Sequence, residues 1–599
     1  MVTDKEASLD FDFSTTQSVF DLIFNKNPNN VPADTSTLIS QDRTITFGEL
    51  KNLVLKCAYN LKEEYGIEKG DVVAVRAVTH VEYPLVIHGT VCGGGTIALV
   101  KRSPEDDVET ITEDLETVKP KLFIIDYEQR HISLQAAENA GIPKSNMLIL
   151  GGGGTIGGIR TVQDVLLSGE NLATPYIYTP DEFENRCVYL CYTSGSTGRR
   201  KAVTITPKTM LNAMKESITG KPSKNRVLTN RPFNFMSATY SELHVSVFQG
   251  DELYFSKAVE ADEIYRDIEK FKITKFIAAP YIVNRMAKDE SCNNYDLSSL
   301  DVVISVGAVI TKSTIALVKE RFGTNVINMY GGSEMFLPVY TTFELTDMGA
   351  VGRLNKGYIA RIVDENDNQV DPGEPGELLL QGPTVTKGYF NNPEANKMAF
   401  TKDGFYRTGD IIACDKDGVL WFKSRSKNLM KYHSTHIYPF DIEKVVLKHP
   451  KVSDCAVIGV FSEELSTDLP RAYVSLLNKE DAANKEEIAQ EILEFSNKML
   501  HETRKIRAGV FIMDSLPRNL TGKILYGELK EEAEKNAKNN ISVMETTIGE
   551  GSTTETIKKQ VDENQITSKE QTPKDHVNDS NLKLILVLYS YFKRTVLAC

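Results

Sequence analysis

The stretch Tyr192-Thr193-Ser194-Gly195-Ser196-Thr197-Gly198-Arg199-Arg200-Lys201 constrains this chain more than any other. It follows Cys187–Tyr192, an apolar run with the character of a strand. Hydroxyl side chains and glycines then lead into three cations, and Arg199, Arg200 and Lys201 are expected to supply the countercharge of a phosphate. Small residues let a backbone come close to phosphate oxygens, while hydroxyl and N–H groups supply donors to them. The common phosphate-loop spacing is absent, and Ala202 follows the lysine. Taken alone, the stretch fits either a phosphate-holding loop or a polar surface loop, and the rest of the chain has to decide.

Strands and helices alternate on both sides of it. Thr44–Phe47 predicts a strand, and Phe47, Leu50, Leu53, Val54, Ala58 and Leu61 recur at helical spacing. Val72–Val78, Lys121–Asp126 and Met147–Leu150 predict further strands, as do Phe276–Ala279, Val302–Val306 and Val326–Met329. That alternation predicts an α/β layered body. Glycines cluster at Gly151–Gly154, Gly157 and Gly158 without a cation, so they predict a connection rather than a phosphate cradle. From Val351 to Phe422, closely spaced turns such as Asp371–Gly376 and Asp417-Gly418 predict a β-rich subdomain. After Ser424 the pattern resets to a small α+β unit: a helix at Ile442–Leu447, strands at Cys455–Val460 and Ala472–Leu476, and a helix at Lys485–Lys498.

At 599 residues the chain is too long for one core, and about three or four domain-sized units are expected. The expected division is a large multi-layered domain over 20–423, a small domain over 424–535 and a polar tail over 536–599. The tail closes on an apolar segment at 584–597, too short to span a bilayer and suited at most to weak contact with a membrane surface. A net charge of −13 argues against nucleic acid as a partner. Eight scattered cysteines form no C-x-x-C pair, and Met1–Thr15 lacks the apolar core of a secretory signal, so a reducing, cytoplasmic setting is expected.

Four more segments stand in order behind the opening stretch. They are Tyr330-Gly331-Gly332-Ser333-Glu334, Tyr406-Arg407-Thr408-Gly409-Asp410, Arg425 with Lys427, and Pro517-Arg518-Asn519-Leu520-Thr521-Gly522-Lys523. Together the five resemble the adenylate-forming superfamily of acyl-CoA synthetases, nonribosomal-peptide adenylation domains and beetle luciferases. The 4-coumarate-CoA-ligase-like and luciferase-like branch is the nearest in look, over roughly residues 20–535.

The resemblance implies a chemistry: a small carboxylic acid attacks the α-phosphorus of ATP, pyrophosphate leaves, and the acyl group passes to CoA. It further implies that Thr193, Ser194, Gly195, Ser196, Thr197, Gly198 and Lys201 hold the β- and γ-phosphates. Glu334 would hold Mg²⁺, and Lys523 would reach the substrate carboxylate and the α-phosphate. Asp410, assisted by Arg425, would accept hydrogen bonds from the ribose. Gly307, Ala308, Asn328 and Tyr330 would flank adenine, and Ser333 completes the nucleotide set. Phe235, Tyr240, Met335 and Phe336 would border the acyl group and the thiol tunnel, with a hinge at Ser424 where most relatives carry Asp.

Some positions depart from the pattern. Arg200-Lys201-Ala202 stands where Pro-Lys-Gly is usual, and bulky Met335-Phe336 stands where small residues are common. Ser434 replaces a glycine that packs close to the pantetheine tunnel. Either that loop relaxes around the new Cβ and CoA still binds, or adenylation is intact while the acyl group goes to another nucleophile. A non-catalytic nucleotide- or acyl-binding relative is the third reading.

Overall fold

The computed structural model describes residues 15–535, except 103–105, 153, 194–199, 434, 464, 479–483 and 520–521. The tail from 536 onward, with its apolar end at 584–597, lies outside the described residues. Among them no helix is long and apolar enough to cross a membrane.

Two largely parallel sheets organise the large domain. One has six strands in the order Met147–Ile149, Leu122–Ile125, Val72–Arg76, Thr96–Leu99, Tyr189–Thr193, Lys201–Ile205. Every neighbouring pair is parallel except the last, which is a hairpin. Its inner strands are buried throughout, as a sheet covered on both faces requires. The other has seven strands, starting Asn325–Met329, Val302–Val306, Lys275–Ala278, Arg226–Thr229 and Glu252–Phe255. Core residues from both sheets, among them Leu38, Val227, Leu99 and Cys191, share one hydrophobic cluster with Met236, Tyr240 and Phe336.

The predicted strand Thr44–Phe47 ends one residue earlier, because Thr46 caps the next helix, Phe47–Tyr65. Its hydroxyl accepts from the Glu49 N–H, and the Glu49 side chain accepts from the Thr46 N–H. The glycine-rich segment near residue 151 is tied by carboxylates: Gly151 N–H donates to Glu82 and Gly154 N–H to Asp164. Donors already given to carboxylates are not offered to a phosphate.

Residues 339–425 form a six-stranded antiparallel sheet, the expected β-rich subdomain. A small C-terminal α+β domain follows, with a three-stranded sheet of Val452–Ser462, Thr467–Leu476 and Val510–Met513. The first two strands are longer than the apolar runs that predicted them, since their ends pair as an antiparallel ribbon. Helices Pro439–Val446 and Lys485–Met499 pack on it around a separate hydrophobic cluster that includes Ile442, Val457, Val474 and Ile492.

Candidate active site

The hairpin of the first sheet sets Thr193 directly opposite Lys201, so both stand at the root of the loop they bound. Ser194, Gly195, Ser196, Thr197 and Gly198 lie outside the described residues. The Lys201 ammonium stands 5.1 Å from the centre of the Tyr389 ring, and the Tyr389 hydroxyl donates to Glu334 Oε1 at 3.2 Å. Lys201 and Glu334 are thereby gathered around one tyrosine that sequence reasoning missed, since no motif marks it. The expected countercharge of the loop needs a correction at Arg200. Its guanidinium turns inward, donating to Asp114 Oδ2 at 2.8 Å and to Asp106, which also takes Arg76 at 2.9 Å. Two buried carboxylates hold that cation in the interior.

The second sheet presents the carboxyl ends of Val302–Val306 and Asn325–Met329 side by side, with Val306 opposite Met329. Ligands of open α/β sheets bind at such carboxyl ends. Gly307 has φ of +114°, and a Cβ built on it would meet nothing within 4 Å, so open space lies beside it. Ala308 is exposed next to it. Asn328 is buried, and its Oδ1 has no hydrogen-bond partner among the described residues. Tyr330, next along the chain from that strand, donates its hydroxyl to Asp410 Oδ2 at 2.8 Å.

Strand register places Asp410 opposite Arg425, whose Nε lies 2.7 Å from Asp410 Oδ1. Ser424, one residue earlier, is buried opposite Ile411 in the same ladder. In the turn after Tyr330, Ser333 Oγ lies 3.9 Å from Cys191 Sγ. Phe336 adopts the left-handed conformation, φ of +51°. Its ring meets Tyr240 edge-on at 5.3 Å, and the Tyr240 hydroxyl is anchored on the Ala213 carbonyl at 2.6 Å. Met335, expected beside Phe336, packs instead with Tyr330, Val339 and Tyr406. Consecutive residues of a turn point apart, and only one of this pair joins Tyr240.

Lys523 comes from the small domain. Asn519 Oδ1 accepts its backbone N–H at 3.0 Å, and the loop is fastened by an ion pair between Arg518 and Asp454. Gly522 has φ of +76°, and a Cβ there would stand 2.5 Å from Tyr281 and 2.7 Å from Ala279. Only glycine allows that approach. The charge of Arg425, with burial, pulls the Lys523 ammonium down to about 8; Lys427 adds to this, while Asp410 and Glu334 oppose it. One lysine of the small domain thus sits in the field of four residues that its own sequence neighbourhood does not name.

A further fastening was invisible in the sequence. Lys288, at the end of a helix of the second sheet, donates to the carbonyls of Leu447, His449 and Val452 at 2.6, 3.1 and 2.6 Å. Ser434 lies outside the described residues.

Set against known proteins, residues 24–390 match the family described as AMP-binding enzyme, and residues 441–523 match the AMP-binding enzyme C-terminal domain. The acyl-CoA ligase azaF of Aspergillus niger is 30% identical over 81% of this chain and 92% of its own length. The phenylacetyl-CoA ligase epaB of Aspergillus niger is 29% identical over 82% and 92%. The crystal structure of the anthranilate CoA ligase AuaEII in complex with anthranoyl-AMP superposes with a TM-score of 0.77 and 22% identity, over 87% of this chain and 98% of that one. The first family description alone spans more than half of the chain, and with the converging geometry it makes this protein a member of the AMP-binding enzyme family, an adenylate-forming acid–thiol ligase.

Proposed function

We propose that the chain joins a compact apolar or aromatic carboxylic acid to the α-phosphate of ATP, releases pyrophosphate, and transfers the acyl group to CoA. The observation that carries the reading is the close seating of the Gly522–Lys523 turn against Ala279 and Tyr281, which brings Lys523 into the field of Arg425, Asp410 and Glu334. Two anions must meet in the first step, so a site for it needs cations reaching the reacting atoms from more than one element.

In this reading Lys523 stabilises charge on the carboxylate and the α-phosphate oxygens as the C–O–P link forms. Thr193, Lys201 and the loop between them hold the departing phosphates. Asp410, oriented by Tyr330 and Arg425, accepts from the ribose hydroxyls. Asn328 Oδ1, a buried acceptor without a donor among the described residues, suits the amino group of adenine over the open space at Gly307 and Ala308. Ser333, whose Oγ stands 3.9 Å from Cys191 Sγ, is assigned to the nucleotide set. Glu334 takes one neutral hydrogen bond, from Tyr389, and pairs with no cation among the described residues, so its oxygens suit a hard ion. Mg²⁺ bound there would supply charge neutralisation across the phosphates.

The acid is read from Tyr240 and Phe336, which close one wall edge-on, and from relatives named for phenylacetate and anthranilate. Phe235 is assigned to the thiol path. The domains are assigned as 20–423 and 424–535, hinged at Ser424, with a tail over 536–599. The free thiols of the described cysteines favour a cytoplasmic setting.

The test is pyrophosphate exchange over a panel of aryl and alkyl acids, then thioester formation with CoA. Lys523→Ala is expected to lower exchange by about a hundredfold or more, the scale for loss of a transition-state charge partner. An unchanged rate removes the central assignment. Exchange without any thioester, restored by Ser434→Gly, would direct the acyl group to a nucleophile other than CoA in the parent.

A further inference from the structure

Lys101 lies two residues beyond Leu99 on the strand Thr96–Leu99, and Leu99 pairs with Cys191 on the strand that carries Thr193. Strand alternation puts Ile97 and Leu99 on one face, and both belong with Cys191 to the cluster holding Met236, Tyr240 and Phe336. Lys101 continues that face. It is 8% exposed, and its Nζ stands 5.6 Å from the centre of the Phe235 ring.

No carboxylate or carbonyl takes its protons among the described residues. The nearby carboxylates are spoken for: Arg200 binds Asp106 and Asp114, and Arg76 shares Asp106. A buried ammonium without a counter-anion is costly to keep charged, so the position answers to a group that arrives and leaves. The proposed reaction brings three such groups: the triphosphate, the acyl carboxylate and the CoA thiol. Lys201 and Lys523 stand beside the first two. Lys101 is separated from Lys201 by the Tyr189–Thr193 strand and stands instead against Phe235.

We propose that Lys101 is the base that accepts the CoA thiol proton in the second half-reaction. The proposal rests on the reading of Phe235 as a wall of the thiol path. In its neutral form the Lys101 amine takes the S–H proton. The thiolate then attacks the acyl carbonyl carbon of acyl-AMP, the C–S bond forms, and the C–O bond to phosphate breaks. AMP departs with that electron pair, and Lys101 releases its proton to solvent.

The surroundings fit the role. Burial and the charge of Arg200 lower the Lys101 ammonium to about 8, against the opposing pull of Cys191, Asp114 and Asp106. A free thiol titrates near ~8.5, and a base works best when its own range matches the proton it moves.

The experiment uses the full-length protein with Lys101→Met and Lys101→Arg. An acid that supports pyrophosphate exchange is converted to acyl-AMP, which is supplied for single-turnover transfer to CoA across neutral to alkaline pH. Both variants should keep exchange within about twofold and lose about a hundredfold in transfer at neutral pH. The parent rate should level off near pH 8, while the variant rates keep rising with the thiolate fraction and narrow the gap. Arginine keeps the cation without accepting a proton, so full transfer by Lys101→Arg overturns the base role. So does parent-like transfer and pH profile in Lys101→Met. Loss of exchange alongside transfer, with an unchanged unfolding midpoint, assigns Lys101 to the first half-reaction and also overturns the proposal. Should Lys101→Met fail to fold, Lys101→Arg carries the test. A parent without exchange on any acid overturns the ligase reading, and this proposal falls with it.

Discussion

The two halves of the candidate site are held by different means. On the large domain, strand register does the positioning: Thr193 faces Lys201, Asp410 faces Arg425, and Val306 faces Met329. Each pair closes a ladder whose backbone pairing fixes which residues face each other. On the small domain Lys523 is carried by a loop, and the contacts of that domain with the large one include Lys288, Arg518 over the Tyr281 ring, and the Gly522 backbone. The buried carboxylates differ in the same way. Asp410 has a cation at 2.7 Å, whereas Glu443, among the described residues, accepts from the Val457 N–H at 2.9 Å and the Tyr526 hydroxyl at 2.9 Å. The strand-borne half is built to stay, and the loop-borne half is fastened at points that can be undone one by one.

Breaking the fixed half should cost most. Asp410→Ala removes an acceptor held by register, and kcat/KM for ATP in the exchange assay should fall about a hundredfold, as for two charge-assisted hydrogen bonds of ~1.5 kcal/mol each. A variant as fast as the parent would detach Asp410 from the nucleotide.

Glu443 sharpens the contrast through pH. Burial raises its carboxyl to about 7, so the folded protein holds a proton there that the unfolded chain releases near ~4.5. The native state therefore binds more protons between those values, and stability falls as pH rises from about 4.5 through about 7, by about 3 kcal/mol at most. Glu443→Gln should flatten that slope in urea unfolding of the intact protein. Identical slopes for parent and variant would show that Glu443 is not the group that titrates.

Lys288→Met tests the fastening itself, with the smallest expected effect. Three carbonyls lose a charged donor, and pyrophosphate exchange should slow about tenfold, which corresponds to ~1.4 kcal/mol. Transfer from supplied acyl-AMP to CoA should hold or quicken, because the adenylating arrangement is the one Lys288 stabilises. An equal fall in both steps would make Lys288 a folding residue instead.

How much of this could be read in the chain follows the same division. The parallel sheets were legible because their strands are buried on both faces and so appear as continuous apolar runs, Val72–Arg76 and Val302–Val306 among them. Asp410 and Arg425 were legible as motif members, but their pairing depends on strand register, which a linear pattern does not contain. Tyr389, Lys288 and Lys101 were missed since each gains meaning only from partners far along the chain. Arg200 was misjudged for a related reason. Three cations in a row look like one patch, yet Asp106 and Asp114 draw the middle one into the interior.

Gly522 carries one more consequence. Its contact with Tyr281 and Ala279 leaves no room for a single added carbon. The depth to which Lys523 reaches is thus set by the thickness of a backbone, in the manner of a shim between two machined faces. A change at Tyr281, well removed from any reacting atom, would alter the thickness of that stack and retune the first half-reaction without touching acid, nucleotide or thiol.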